Sequence, residues 1–149
     1  MKTRLGLMIA VSGISLLSAG CATLGSTYTP VSNAPKDKAT VYVYRQPAFS
    51  GGAVSYTVAV NGVDVSSLPS GGYFVYYANP GETEFAAKTE AKTSVTVDAK
   101  AGQTYYVKGT VGMGVFVGHP HLLEVTSDVG SQEIVKCKLV PPATATAAR

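Results

Sequence analysis

The 149-residue chain has no tryptophan, two cysteines and two histidines, and only 14% of its residues are charged. Each shortage removes a class of protein. Two cysteines cannot build the disulfide framework of a small secreted scaffold. A domain of this length needs none, because it buries roughly two-thirds of its unfolded surface. A disordered chain would carry more charge, near the usual ~25% or above. The net charge of +3 includes Lys2 and Arg4, and without them the balance is 10 basic residues to 9 acidic. Lys36, Lys38, Lys88, Lys92, Lys100, Lys108, Lys136 and Lys138 are scattered, with acids between several of them. The phosphate-neutralising stripe of a nucleic-acid binder is missing, so no nucleic-acid partner is expected. No apolar run reaches the about 20 residues of a membrane-spanning helix. What the chain does have is glycine and tyrosine, 16 and 9 residues, the makings of tight turns and half-exposed strands.

The N-terminus has the layout of an export signal. Lys2 and Arg4 give a positive start, Leu5 to Leu17 is apolar apart from Gly and Ser, and Ser18, Ala19 and Gly20 are small. The next residue is Cys21. A cysteine directly after small residues resembles the bacterial lipoprotein signal, in which that cysteine is acylated and becomes the new N-terminus. Ser18 stands three before it, with Leu17 one further back. The resemblance implies a signal peptide over 1–20 and lipidation of Cys21, palmitate included. Two or more acyl chains anchor stably where one holds only marginally. The residue after the cysteine is Ala22 rather than Asp, which resembles an outer-membrane address. The implied location is the bacterial cell envelope, on the outer membrane and facing the periplasm.

From residue 21 to Lys38 the chain is small, polar and interrupted by Pro30 and Pro35, which predicts a flexible tether. Residues 141–149 predict a disordered tail. The folded domain is expected over 39–140. There the period is 2. Val41 and Val43 alternate with Tyr42 and Tyr44. Tyr56, Val58 and Val60 lead into Asn61-Gly62, the strongest short hairpin signal, and then Val63 and Val65. A strand from Tyr73 to Tyr77 ends at Asn79-Pro80-Gly81, and another with Val95 and Val97 turns at Ala101-Gly102 into Tyr105 and Val107. "GVFVGHPHLLEV" predicts a strand, an interruption at Gly118 to Pro120, then a strand. "QEIVKCKLV" predicts a last strand with Val135, Cys137 and Leu139 on one face. Seven to nine short strands and no good helix predict an all-β fold, an antiparallel β-sandwich of immunoglobulin or prealbumin-like type. A small β-barrel is the alternative.

Chemistry-bearing residues are few. His119 and His121 flank Pro120, and alternation would put both rings on one face, as a metal site needs. Zinc wants about four ligands. Glu124 and Asp128 follow at no fixed spacing, and no Cys-x-x-Cys or His-x-x-x-His accompanies them. Metal binding by the pair is therefore only a weak candidate. Ser66, Ser67 and Ser70 lie in turn-like sequence, not in a Gly-x-Ser-x-Gly elbow. Glu82 and Glu84 share a strand face at ~6–7 Å, a spacing that any solvent-facing strand shows. The glycine-rich pieces at 50–52, 70–72 and from Gly109 lead into no helix, so none is a phosphate loop, and the last predicts a bulge or a close strand approach. No cofactor and no enzyme activity are expected, with a hydrolase as the remote alternative. The strand tyrosines Tyr42, Tyr44, Tyr73, Tyr76, Tyr77, Tyr105 and Tyr106 fit a sandwich core and rim, and some of them an aromatic contact surface.

"ATVYVYR", "VAVNGVDVSSLPSGGYFVYYANPGETEF" and "AGQTYYVKG", in that order, resemble an uncharacterised family of small bacterial lipoproteins known only as a domain of unknown function. The likeness covers about 39–140. It implies an exported, lipid-anchored β-sandwich and no particular activity. The expected function is a membrane-anchored module that binds a protein or envelope polymer, at a site the sequence does not locate. The alternative is a small-molecule or metal-binding module using the His119/His121 loop. If Cys21 carries lipid, Cys137 is left as a buried, inert thiol.

Overall fold

The computed structural model describes residues 24–88, 92–113 and 118–141. Cys21, the segment before it and residues 142–149 lie outside the described residues. Along the chain come β1 (Ala39–Tyr44), β2 (Tyr56–Val60), β3 (Val63–Leu68), β4 (Gly72–Ala78), β5 (Gly81–Lys88), β6 (Lys92–Ala99), β7 (Thr104–Met113), β8 (Gly118–Val125), α1 (Ser127–Ile134) and β9 (Lys138–Leu139). They form two open sheets, β8-β7-β1-β4-β9 and β3-β2-β5-β6. No barrel closes, and the expected β-sandwich is what forms.

Alternation builds the space between the sheets. Val41 and Val43 of β1, Phe74 of β4 and Val107 of β7 point inward from the first sheet. Val58 of β2, Phe85 of β5 and Val97 of β6 meet them from the second. The opposite face of the first sheet is also covered. Tyr42, Tyr44, Tyr73 and Tyr106 form a second buried cluster there with Ile134 of α1 and with Cys137. Every residue of β1 is therefore buried.

The Asn61-Gly62 turn forms as read. Asn61 has φ 48° and Gly62 φ 84°, the left-handed pair that a two-residue hairpin demands. Asn61 also accepts a 2.9 Å bond on Oδ1 from the Glu84 amide, which ties the turn to β5. The turns at Asn79-Pro80 and Ala101-Gly102 do something the sequence does not reveal. Each carries the chain from one sheet to the other, β4 to β5 and β6 to β7. Two pairs are parallel, β1 with β7 and β4 with β9, so the sandwich is not wholly antiparallel.

Three expectations change. First, β8 runs unbroken through Pro120. It is the end strand of its sheet, where a missing N–H need not break a ladder. The Pro120 carbonyl turns away from β7 and accepts a 2.7 Å bond from Thr93 Oγ1. Second, residues 127–134 are helical, and "QEIVKCKLV" supplies only the two residues of β9. Alternation over 132–139 is coincidental, because Ile134 and Cys137, three apart, both turn into the tyrosine cluster. Third, the described part of the expected tether is not loose. The Gly25 amide bonds the Leu139 carbonyl at 2.7 Å, Leu139 bonds back to Ser26 at 2.8 Å, and Tyr28 bonds Cys137 at 3.0 Å. Residues 24–31 thus form a strap whose first half pairs with β9 on the side away from β4.

Candidate functional site

The outer face of the first sheet has the densest aromatic packing among the described residues. Tyr42 on β1 and Tyr106 on β7 are register partners, which places their rings side by side. They stack at 5.3 Å with only 19° between planes. Tyr28 of the strap meets Tyr42 and Tyr73 edge-on, each at 5.4 Å. Such pairs are worth about 0.5–1.5 kcal/mol each beyond the area they bury. The Tyr42 hydroxyl accepts a 2.9 Å bond from the Val31 amide and so pins the strap's second half over the sheet. Burial, then the neighbouring hydroxyls of Tyr106 and Tyr42, push the Tyr28 phenol far above its ordinary range. Burial likewise raises Tyr73.

Helix α1 closes the other side of this face. Gly130 lies directly on the Tyr106 ring, where a Cβ would overlap it. Glu133 is held twice: Tyr44 Oη donates at 2.6 Å and Lys108 Nζ at 2.7 Å. Burial pushes the Glu133 carboxyl up, but the bonds from Lys108 and Tyr44 outweigh it and the net direction is down. Burial and the same carboxylate push the Tyr44 phenol far up. Cys137 lies beneath, fully buried, its thiol donating to the Arg45 carbonyl at 3.4 Å. Burial raises that thiol to about 11, as expected of an inert core cysteine.

Between strap and helix a groove of about 520 Å³ remains open. Tyr42 and Tyr106 form its floor, Tyr28, Pro30 and Val31 one wall, and Ser131 and Val135 the other. Val135 is half exposed at the rim. The floor rings themselves are buried, so the surface open to a partner is the rim: partly exposed Tyr28 and Val31, and exposed Pro30, Ser131 and Val135.

The residues singled out in the sequence fall elsewhere. His119 and His121 do share one exposed face of β8, opposite Gly112 and Thr110. Glu124 alternates to the other side of the strand, and Asp128 sits in the first turn of α1. No group of three metal-ligating side chains occurs among the described residues. Ser66 and Ser67 are on β3, in the opposite sheet from the histidines. Ser67 bonds Ser55 at 2.7 Å, Ser66 bonds a backbone carbonyl at 3.3 Å, and Ser70 accepts from the Ala48 amide at 3.0 Å. Glu82 and Glu84 share one face of β5, with Asp98 opposite Glu82. Gly109 is a close approach, since a Cβ there would strike Tyr56 and Leu68.

Sequence reading missed Arg45, which is only 2% exposed. It donates to the Val54 carbonyl at 2.5 Å and the Gly51 carbonyl at 2.6 Å, and lies 5.6 Å from the centre of the Tyr56 ring. Burial lowers its pKa, with Tyr56 opposing. The signal was available: Arg45 continues the inward parity of Val41 and Val43. Tyr28 and Glu133 were also missed. One stood in a stretch read as tether, the other in a stretch read as strand.

The architecture is thus a β-sandwich whose first sheet carries a tyrosine face, partly roofed by an N-terminal strap and a short helix. The chain belongs to the family described as "Protein of unknown function (DUF2846)", whose sequence profile matches residues 35–119. It is also similar to an "Uncharacterized protein" of Haemophilus influenzae, with 23% identity over 138 residues, covering 87% of this chain and 82% of that one. No solved structure matches the chain significantly.

Proposed function

We propose that the protein is a lipid-anchored envelope module that binds a protein or envelope polymer and performs no catalysis. The observation that carries the binding role is the groove between strap and α1, floored by the stacked pair Tyr42 and Tyr106. At its rim the partly exposed Tyr28 and Val135 leave apolar area for a partner to bury. The anchor rests on the sequence: a positive start, a short apolar run, small residues and Cys21. Ala22 after the cysteine supports an outer-membrane location facing the periplasm.

The test uses the anchored protein in its native envelope. A photo-crosslinker at Val135, on the rim, captures whatever occupies the groove. Ser131→Arg, an exposed change on the facing wall, fills the opening without touching the core. The expected result is a discrete crosslinked species that disappears in Ser131→Arg while the fold survives. Absence of any species, together with stoichiometric zinc or copper in the purified protein, would overturn the reading in favour of a metal-binding module at His119 and His121. For the anchor, Cys21→Ser should release the protein from membranes and abolish the acyl mass increment.

A further inference from the structure

We infer that the edge formed by residues 24–27 of the strap and β9 is the face this domain presents to the bilayer, held against the headgroups with no long tether between. The inference rests on acylation of Cys21. Seventeen free residues would let a domain roam tens of ångströms from its lipid. The chain here is seated by Gly25, whose amide bonds Leu139, and is fixed again at Ser26 by Leu139, at Thr27 by Lys138 and at Tyr28 by Cys137. From Cys21 to Leu24 there are three residue steps. At 3.3–3.6 Å each, they reach at most about 11 Å in any conformation. The lipid-bearing residue therefore stays within that distance of the strap's first described residue.

The composition of this edge suits an anionic headgroup layer. Residues 24–27 and 136–141, clear of the groove walls at 28–31 and Val135, contain Lys136 and Lys138 and no acid. Both lysines are exposed, and basic groups near an anionic surface are drawn to it. An apolar groove of about 320 Å³, lined by Val65, Phe74, Tyr76 and Val140 among others, opens beside the same edge. The opposite edge of the sheet is β8, four strand spacings from β9, or about 19 Å. A domain mounted this way turns β8, with His119 and His121, away from the lipid.

Energy transfer to the membrane surface tests the mount. The full acylated protein is reconstituted in phosphatidylethanolamine/phosphatidylglycerol vesicles carrying a headgroup-linked acceptor. A donor is placed at Lys138→Cys in one sample and at His121→Cys in another. Cys137 is buried and Cys21 carries lipid, so labelling is specific to the new thiol. Transfer from position 138 should exceed that from 121 several-fold. Inserting a Gly/Ser linker after Ala22, about 15 residues with a root-mean-square reach of about 21 Å, should erase the difference while the protein still floats with vesicles. Equal transfer from both sites in acylated, vesicle-bound protein would overturn the mount and leave the anchor standing. A chain without acyl mass that fails to float would overturn both.

Discussion

Tyr44 Oη donates a 2.6 Å hydrogen bond to Glu133 Oε2, joining the end of β1 to the last turn of α1 across 89 positions of chain. Lys108 Nζ holds the other carboxylate oxygen at 2.7 Å. The lysine and glutamate side chains are each 23% exposed, so the pair is well shielded but not dry.

Glu133→Gln is expected to lower stability by about 1–2 kcal/mol, the range for a charge-assisted bond that is partly shielded. The sign with pH follows from the lowered carboxyl pKa. The folded state prefers the ionised form, so the contribution is present above the ordinary value of 4.5 and is lost as pH falls through the folded value. Urea midpoints at pH 7 and pH 3 check this. The gap between wild type and variant should narrow at the lower pH, and an unchanged gap would refute the assignment.

Gly130→Ala reverses a familiar rule. In an ordinary helix interior the change stabilises by about 1 kcal/mol. Here the new methyl would enter the Tyr106 ring. A loss of about 1–3 kcal/mol is expected from overpacking, while Ser131→Ala on the exposed side of the same helix should be neutral or slightly stabilising. Thermal melts of the two variants compare them directly.

Tyr56 and Arg45 should respond in opposite directions. The Tyr56 hydroxyl is buried with no hydrogen-bond partner, so Tyr56→Phe removes an unmet group and should be neutral or stabilising by about 1 kcal/mol. Arg45→Met abandons the carbonyls of Gly51 and Val54 and should cost about 2 kcal/mol or more. Amide exchange in residues 46–54 should rise in the second variant and not in the first. The tip of that loop carries Phe49, fully exposed, so its cohesion comes from these bonds and not from a core of its own.

Alkali should unfold the protein by a readable route. Burial raises the phenols of Tyr28, Tyr44 and Tyr73, takes Tyr56 to about 12 despite Arg45, and takes the Cys137 thiol to about 11. A raised acid pKa means the folded state binds the proton more tightly. That stability is complete below the ordinary values of 9.0 for the thiol and 10.0 for the phenols, and is lost as pH rises through the folded ones. Absorbance at 295 nm should show a late group of tyrosines that ionise together with loss of structure. Cys137 should resist a thiol reagent at pH 8 until urea is added.

Much of the scaffold was legible because strand formation leaves a local trace. Val41 and Val43 against Tyr42 and Tyr44 show period 2 within one window, and Asn61-Gly62 names its turn by the positive φ it needs. Parity also set Tyr42 opposite Val41 and Val43, on the side of its strand that became the groove floor. Legibility failed where the deciding contact was remote. Helix α1 has a glycine in its middle and little intrinsic propensity, so it depends on Tyr106, Tyr44 and Lys108 far away in the chain. Pro120 looked like a break because only the sheet order shows that its strand is the outermost.

By itself, then, the sequence determined the class of fold, the alternating core and the tight hairpin, because these follow from the side-chain period of an extended backbone and from local φ requirements. It also carries the residue pattern, from Lys2 to Cys21, on which the proposed anchor rests. Only the tertiary structure decided that the turns after β4 and β6 change sheets, that Glu133 meets Tyr44 and Lys108, and that residues 24–31 lie on the sheet. Those outcomes depend on which distant surfaces bury one another, a property of the assembled chain that no window of sequence contains.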